Sequence, residues 1–175
     1  MRYVVKQKWL SFGEDFAIKD ESGREAFYVD GKAFTLVREK LAMLDSNKKE
    51  VALIREKLIS LTAAYEIVRE GKPSAVVKKD LINLFRIGFT VDVPGPDDLE
   101  AIGSLLEHEY TFRRGGKVVA EVSKRWFSWT DTYGVEVQPG EDDVLILAST
   151  IVIDLIAHPD TTIPTTHSSA GSETS

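Results

Sequence analysis

Two stretches of the sequence repeat one another, YEIVREGKPSAVVKK at residues 65–79 and YTFRRGGKVVAEVSK at residues 110–124. At the same spacing, each contains an aromatic residue, a Gly-Lys pair, an alanine, a valine and a final lysine. On both sides of the glycine, apolar and polar residues alternate, as in β-strands whose successive side chains point to opposite faces. Glycine supplies the positive φ that a tight turn needs. Each stretch is therefore predicted to form a β-hairpin.

Further hairpins are predicted around the two repeats. A looser copy begins at Phe16 and has its turn at Gly23-Arg24. Two more arms, residues 41–45 and 51–55, flank a short polar stretch. Residues 97–110 fit both a helical and a strand pattern, and we favour the strands. Hairpins at such regular spacing are typical of a meander, a sandwich or a barrel.

A long apolar segment follows the hairpins. Residues 144–157 are apolar except for Ser149, Thr150 and Asp154, and three acidic residues precede them. The β-branched content would permit a strand, but the length and the all-round apolarity favour a buried helix, too short for a membrane span of about 20 residues. Such a helix must be enclosed, and a closed sheet can enclose it. The domain is predicted to cover residues 1–158, with residues 159–175 as a disordered tail.

Composition excludes several kinds of chemistry. The 175 residues include no cysteine, which removes disulfides, thiol catalysis and cysteine-based zinc sites. The first residues lack the apolar core of a signal peptide, so we expect a cytoplasmic protein, with peripheral attachment to a membrane as an alternative. The net charge is −6 although all 22 Lys and Arg residues lie at or before Arg125. An acidic protein is a poor candidate for binding nucleic acid.

No catalytic or metal-binding motif is recognisable. The three histidines, His108, His158 and His167, lack the spacing of metal ligands, and no phosphate-binding loop, nucleophile elbow or zinc-protease motif is present. Asp154 interrupts the apolar segment, and a buried carboxylate needs a partner. We favour a structural role for it near the end of the barrel over a proton-linked or ligand-binding role. The sequence therefore predicts a protein without enzymatic activity, cofactor or metal.

The best candidate for a binding site is the basic stretch around the second repeat. A strand that continued through residue 129 would place Trp126 outward beside Lys124, with Phe127 and Trp129 in the core. A tryptophan flanked by cations suits a lipid headgroup interface or a stacked ligand. The predicted ligand-binding residues, on one basic rim, are Lys79, Lys117, Lys124, Arg125 and Trp126. The alternative is that a loop covers the tryptophan and the cations pair with the acidic segment 92–109, because charged runs are usually solvated surfaces.

Three further stretches resemble the LURP-one-related (LOR) family. They are AEVSKRWFSWTDTYGVEV at 120–137, EDDVLILA at 141–148 together with Ile153-Asp154, and QKWLSFG at 7–13. The resemblance covers residues 1–158 and implies a tubby C-terminal-like fold, an all-β closed barrel of about twelve antiparallel strands around a hydrophobic C-terminal helix. It also implies remoter kinship with tubby proteins and phospholipid scramblases, and thus membrane tethering. The phosphoinositide-binding pattern of tubby proteins is absent, so no binding residue is assigned from them.

These features predict a non-enzymatic binding module. It would recognise phospholipid headgroups, a membrane surface or a protein partner through the basic rim. The alternative is an intracellular structural or stress-associated protein that acts through protein contacts without a small ligand.

Overall fold

The computed structural model describes residues 1–8, 15–30, 40–57, 63–83, 86–126 and 132–157. Within these ranges the chain forms twelve strands, a 3-10 helix and an α-helix. The strands are β1 (Arg2–Lys8), β2 (Asp15–Asp20), β3 (Glu25–Asp30), β4 (Lys40–Asp45), β5 (Glu50–Glu56), β6 (Ala64–Arg69), β7 (Lys72–Asn83), β8 (Arg86–Asp92), β9 (Leu99–Ser104), β10 (Glu109–Arg114), β11 (Lys117–Ser123) and β12 (Thr132–Val137). The 3-10 helix (Leu105–Glu107) lies between β9 and β10, and α1 (Asp143–Ala157) follows β12. The predicted tail, residues 159–175, lies outside the described residues.

The strands form a closed antiparallel barrel, as the resemblance to the family implied. Each strand pairs with the next in the chain, and β1 pairs with β12 to close the sheet. The two repeats are the hairpins β6–β7 and β10–β11. Their turns, Glu70-Gly71 and Gly115-Gly116, have positive φ at both residues, as the tight turns that match the twist of paired strands require. Residues 99–104 form a strand, as favoured, but residues 105–107 form a 3-10 helix, so the strand favoured for that part of residues 97–110 is wrong.

Because the strands run alternately up and down, their connections lie at two opposite ends of the barrel. The end that we name the entry end holds Met1, the Glu70-Gly71 and Gly115-Gly116 turns, and the start of α1. The far end holds the 3-10 helix and the turn at residues 124–126 that follows β11.

The α-helix fills the barrel, which confirms the predicted enclosed helix. Residues 145–155 are all buried, including three polar ones, Ser149, Thr150 and Asp154. Around them, the inward side chains of the strands form one apolar core, and the largest fully buried ones include Phe16, Phe89 and Phe112. Burying one aliphatic or phenyl side chain of this size is worth about 1.5–3 kcal/mol. No helix in the described part of the chain has the length and apolarity needed to cross a membrane.

Three acidic residues fasten the start of α1 to strands on different sides of the entry end. The contacts that these residues make with the strands add to the favourable interaction of acidic residues with a helix N-terminus. Asp142 also accepts a hydrogen bond from the backbone N–H of Leu145 at 3.1 Å and so caps the helix. The pairs with the strands are Arg114–Glu141, Arg69–Asp142 and Tyr3–Asp143. The helix is therefore held in place by polar contacts as well as by its apolar burial.

Candidate functional site

The structure divides the predicted basic rim between the two ends of the barrel. Lys124 and Arg125 directly follow β11 at the far end, whereas Lys117 begins that strand at the entry end. Seven residues at about 3.3 Å each separate Lys117 from Lys124 by roughly 20 Å. Lys117 is therefore not part of a common rim, and the prediction that grouped it with the others is wrong.

Lys79 lies near the far end, but on another part of its circumference. Its backbone N–H donates to the carbonyl oxygen of Ala63, which precedes β6, at 3.4 Å. Three strands, β8, β9 and β10, lie between β7 and β11. Lys79 is directly opposite Phe89, which is 1% exposed, and directly paired residues share a face of the sheet. Lys79 is therefore on the inner face of β7 at the mouth of the barrel.

Glu109 organises the turn that carries Lys124 and Arg125. Its Oε1 accepts hydrogen bonds from the backbone N–H groups of Lys124 and Arg125, at 2.9 and 3.0 Å, and from the Ser123 hydroxyl at 2.9 Å. The Arg125 guanidinium is 3.4 Å from Oε2 and its side chain is 82% exposed. Burial opposes the charge of Glu109, but these hydrogen bonds and the Arg125 charge together lower the pKa of Glu109 below its ordinary value. The turn is thus fixed by a charged acceptor that the sequence analysis missed.

Trp126 lies against the outer wall of the barrel and not at its rim. The guanidinium carbon of Arg2, on β1, is 4.9 Å from the centre of the Trp126 ring, and Trp126 is half-buried. Such a cation–π contact contributes about 0.5–1 kcal/mol near a surface. The strand predicted to run through residue 129 ends at Ser123, so that part of the prediction is wrong. Phe127 and Trp129 lie outside the described residues.

An exposed apolar side chain accompanies the two cations at the far end. Leu106, in the 3-10 helix, is 58% exposed. The helix is followed by His108, whose carbonyl oxygen accepts a hydrogen bond from the Lys124 backbone N–H at 3.1 Å. Leu106 was not among the predicted site residues, because residues 97–110 were predicted to form strands and not a 3-10 helix at this end. We use the name docking surface for Leu106, Lys124 and Arg125.

A buried polar cluster lies beneath the docking surface. Asp154, near the end of α1, is bonded to His108 with 2.6 Å between Oδ1 and Nε2, and the two side chains are 4% and 13% exposed. The expectation of a structural partner for Asp154 near the end of the barrel is met by His108. The imidazole also stacks on Tyr133 with ring centres 4.4 Å apart. Burial, reinforced by the Asp154 charge, raises the pKa of Tyr110 far above its ordinary value.

The geometry of this cluster favours a structural role over a chemical one. Nε2 of His108 is engaged by Asp154, and Nδ1 is buried, so neither ring nitrogen is open to a ligand. Across the described ranges, no group of three or more His, Cys, Asp or Glu side chains is placed to hold a metal ion. The His108–Asp154 pair therefore connects α1 to the loop at the far end of the barrel.

Comparison with known proteins places the chain in a family. The sequence model of the LURP-one-related family matches residues 1–154. YxjI of Bacillus subtilis strain 168, described as an uncharacterized protein, is 34% identical over 156 residues, which cover 89% of this chain and 93% of YxjI. The X-ray structure of a protein from Arabidopsis thaliana superposes with a TM-score of 0.63 at 19% identity, covering 87% of this chain and 90% of that one. The plant structure thus shares the fold. The chain belongs to the LURP-one-related family.

Proposed function

We propose that the protein is a non-enzymatic binding module that docks peripherally on anionic phospholipid headgroups, at the cytoplasmic face of a membrane, through its far end. The observation that carries the proposal is that exposed Leu106 and the Lys124–Arg125 turn lie at the same end of the barrel, joined through the backbone of His108. Peripheral proteins combine an apolar side chain that enters the headgroup boundary with cations that attract anionic lipid. The proposal includes a remoter kinship with tubby proteins and phospholipid scramblases, which the resemblance to the family implies.

The two cations of the docking surface are available to a ligand. Arg125 is paired with Glu109, but an exposed pair of this kind is worth at most about 1 kcal/mol. Lys124 is half-buried, and its ammonium group forms no ion pair with any side chain in the described ranges. Lys79 lies farther round the same mouth, also without an ion pair among those side chains. Its distance from Lys124 makes it a secondary contact at most.

Acidic residues offset the cations of the entry end. Acidic residues collect at the entry end, and the arginines there are largely paired with them. These acids include Asp20, Glu21, Asp45, Glu70, Asp97, Asp98, Glu141, Asp142 and Asp143. Lys48, Lys49, Lys72 and Lys117 lie at the same end, so these acids offset the local cations and reduce the attraction of the entry end to a negative surface.

Co-sedimentation with vesicles tests the proposal. Phosphatidylcholine vesicles with a rising fraction of phosphatidylserine should bind the protein increasingly, and moderate salt should weaken binding because it screens the charges. Lys124→Glu/Arg125→Glu should abolish binding. Leu106→Ser should weaken it roughly tenfold, since burying one leucine is worth about 1.5–3 kcal/mol and 1.4 kcal/mol is a factor of ten.

The matched control carries the same change of charge at the other end. Lys49→Glu/Lys117→Glu alters two exposed lysines of the entry end and should bind vesicles as the unaltered protein does. Equal losses in both double variants would mean that net charge, and not the docking surface, drives binding. If the protein binds no vesicle at any composition or salt, the lipid proposal is wrong, and the protein-contact alternative takes its place. Thermal unfolding of each variant excludes loss of fold as the cause.

A further inference from the structure

His108 joins four separate elements at the far end. Its side chain is bonded to Asp154 of α1 and stacks on Tyr133 of β12. Its backbone N–H donates to the carbonyl oxygen of Leu105 in the 3-10 helix at 3.2 Å, and its carbonyl oxygen accepts from the Lys124 N–H at 3.1 Å. His108 therefore links the docking surface to the central helix, in addition to the direct packing of α1 on the 3-10 helix.

The backbone of His108 indicates that its side chain has a role. His108 has φ 53° and ψ 43°, the left-handed conformation that glycine adopts without strain. Among the described residues, the other non-glycine positions with positive φ are Lys48 and Glu70, both in hairpin turns. A glycine would satisfy the backbone at position 108 equally well. Histidine there adds a ring that reaches Asp154 and Tyr133.

We propose that the His108–Asp154 pair is a latch, through which the central helix holds the 3-10 helix and the Lys124–Arg125 turn in the arrangement that docks on an anionic surface. The inference rests on the proposed function for its docking step, but not for its structural step. His108 and Asp154 are positioning residues, because both side chains are buried and act through the elements that they join. Without the latch, Leu106 and the two cations remain on the protein but no longer act together.

His108→Gly is the sharpest test, because glycine keeps the left-handed turn and removes only the ring. Two readouts are measured: partition onto phosphatidylcholine–phosphatidylserine vesicles, and hydrogen exchange of the Lys124 backbone N–H. Partition should fall about tenfold, as for Leu106→Ser, if the leucine is no longer presented. Exchange at Lys124 should accelerate, because one of the two acceptors of its N–H, the His108 carbonyl, is no longer fixed, while Glu109 Oε1 remains. Asp154→Asn should change both readouts in the same direction by a smaller factor.

Lys48→Gly is the matched control. It replaces the equivalent left-handed residue of the β4–β5 turn at the entry end, where no latch exists, and should leave both readouts unchanged. The combined effect of His108→Asn and Asp154→Asn on partition and on exchange should be smaller than the sum of their separate effects, because both changes break one pair.

The outcomes separate the latch from the proposed function. If the unaltered protein binds no vesicle, the docking proposal fails, and the latch is then judged by exchange at Lys124 alone. If the unaltered protein binds, and His108→Gly leaves both partition and exchange unchanged, the latch is wrong while the docking surface stands. Accelerated exchange with unchanged partition would also overturn the latch as a positioning device for docking.

Discussion

The side chains of Tyr110 on β10 and Thr150 of the central helix interact inside the barrel, and this interaction opposes the rise that burial causes in the pKa of Tyr110. Thr150 in turn donates to the carbonyl oxygen of Ile146 at 2.9 Å. Both side chains are buried, with Tyr110 4% and Thr150 0% exposed. A polar contact therefore joins the helix to the sheet within the barrel, in addition to the His108–Asp154 pair.

Thr150→Val should destabilise the protein by about 1–3 kcal/mol, because it leaves the Tyr110 hydroxyl buried without a partner. The neighbouring Ser149 provides the opposite case. Its hydroxyl is fully buried and has no hydrogen-bond partner within the described residues. Ser149→Ala should therefore stabilise the protein by about 1 kcal/mol. Urea unfolding of both variants measures the two changes, and a loss of stability in both would contradict the assignment.

Gly103→Ala should destabilise the barrel severely. A β-carbon at Gly103 would lie 2.5 Å from the carbonyl oxygen of Glu109 and 2.6 Å from the Cα of Tyr110, and its φ is 147°. These are backbone atoms of the paired strand, so strands β9 and β10 would have to separate, at a cost of about 3 kcal/mol or more. Ile102→Ala, at an exposed position one residue away, is the control and should cost less than about 1 kcal/mol. Similar unfolding midpoints for the two variants would refute the steric argument.

The protein should become less stable in acid, because Asp20 and Glu109 become protonated. Hydrogen bonds, first that from the Ser22 hydroxyl, lower the pKa of Asp20 to about 2, and the pKa of Glu109 is also lowered. A carboxyl with a depressed folded-state pKa stabilises the protein above its unfolded value, near 4, and loses that contribution as pH falls through the folded value.

Free energies of unfolding measured from pH 5 to pH 2 should therefore decrease, and the decrease should be smaller in Asp20→Asn and in Glu109→Gln. Glu107→Gln removes an exposed carboxylate from the same loop as Glu109 and should leave stability at pH 7 within about 0.5 kcal/mol. An unchanged acid profile in both test variants would show that these two carboxylates do not govern the loss.

The central helix should be indispensable for folding. A chain that ends at Gly140 loses the whole buried segment 145–155, and the strands then surround an empty core, which costs far more than a single large-to-small substitution. We expect no cooperative thermal transition from that chain. A chain that ends at residue 159 keeps α1 and should unfold near the temperature of the full chain. A cooperative transition in the shorter chain would contradict the enclosed-helix architecture.

The sequence by itself determined the local elements of this protein. The alternation of residues 65–79 and 110–124, with glycine at positive φ, predicted the hairpins because strand geometry and tight turns depend on neighbouring residues. The all-round apolarity of residues 144–157 predicted the enclosed helix, because such a surface cannot face water. Together with the resemblance to the family, these local patterns also predicted the closed barrel.

Tertiary structure alone decided which of the candidate residues lie together. The hairpin register between Phe112 and Arg113 contains an irregularity, and this shift pairs Glu109 with Ser123 and brings its carboxylate to the Lys124–Arg125 turn. The extra residue, Val119, is apolar and buried like its neighbour Ala120, so the sequence alone does not show which of the two breaks the alternation. The partners His108 and Asp154 are 46 residues apart, and Arg2 meets Trp126 across the closure of the barrel. Such contacts depend on strand direction, register and closure, which place Lys117 and Lys124 of one strand at opposite ends although both belong to the same basic stretch.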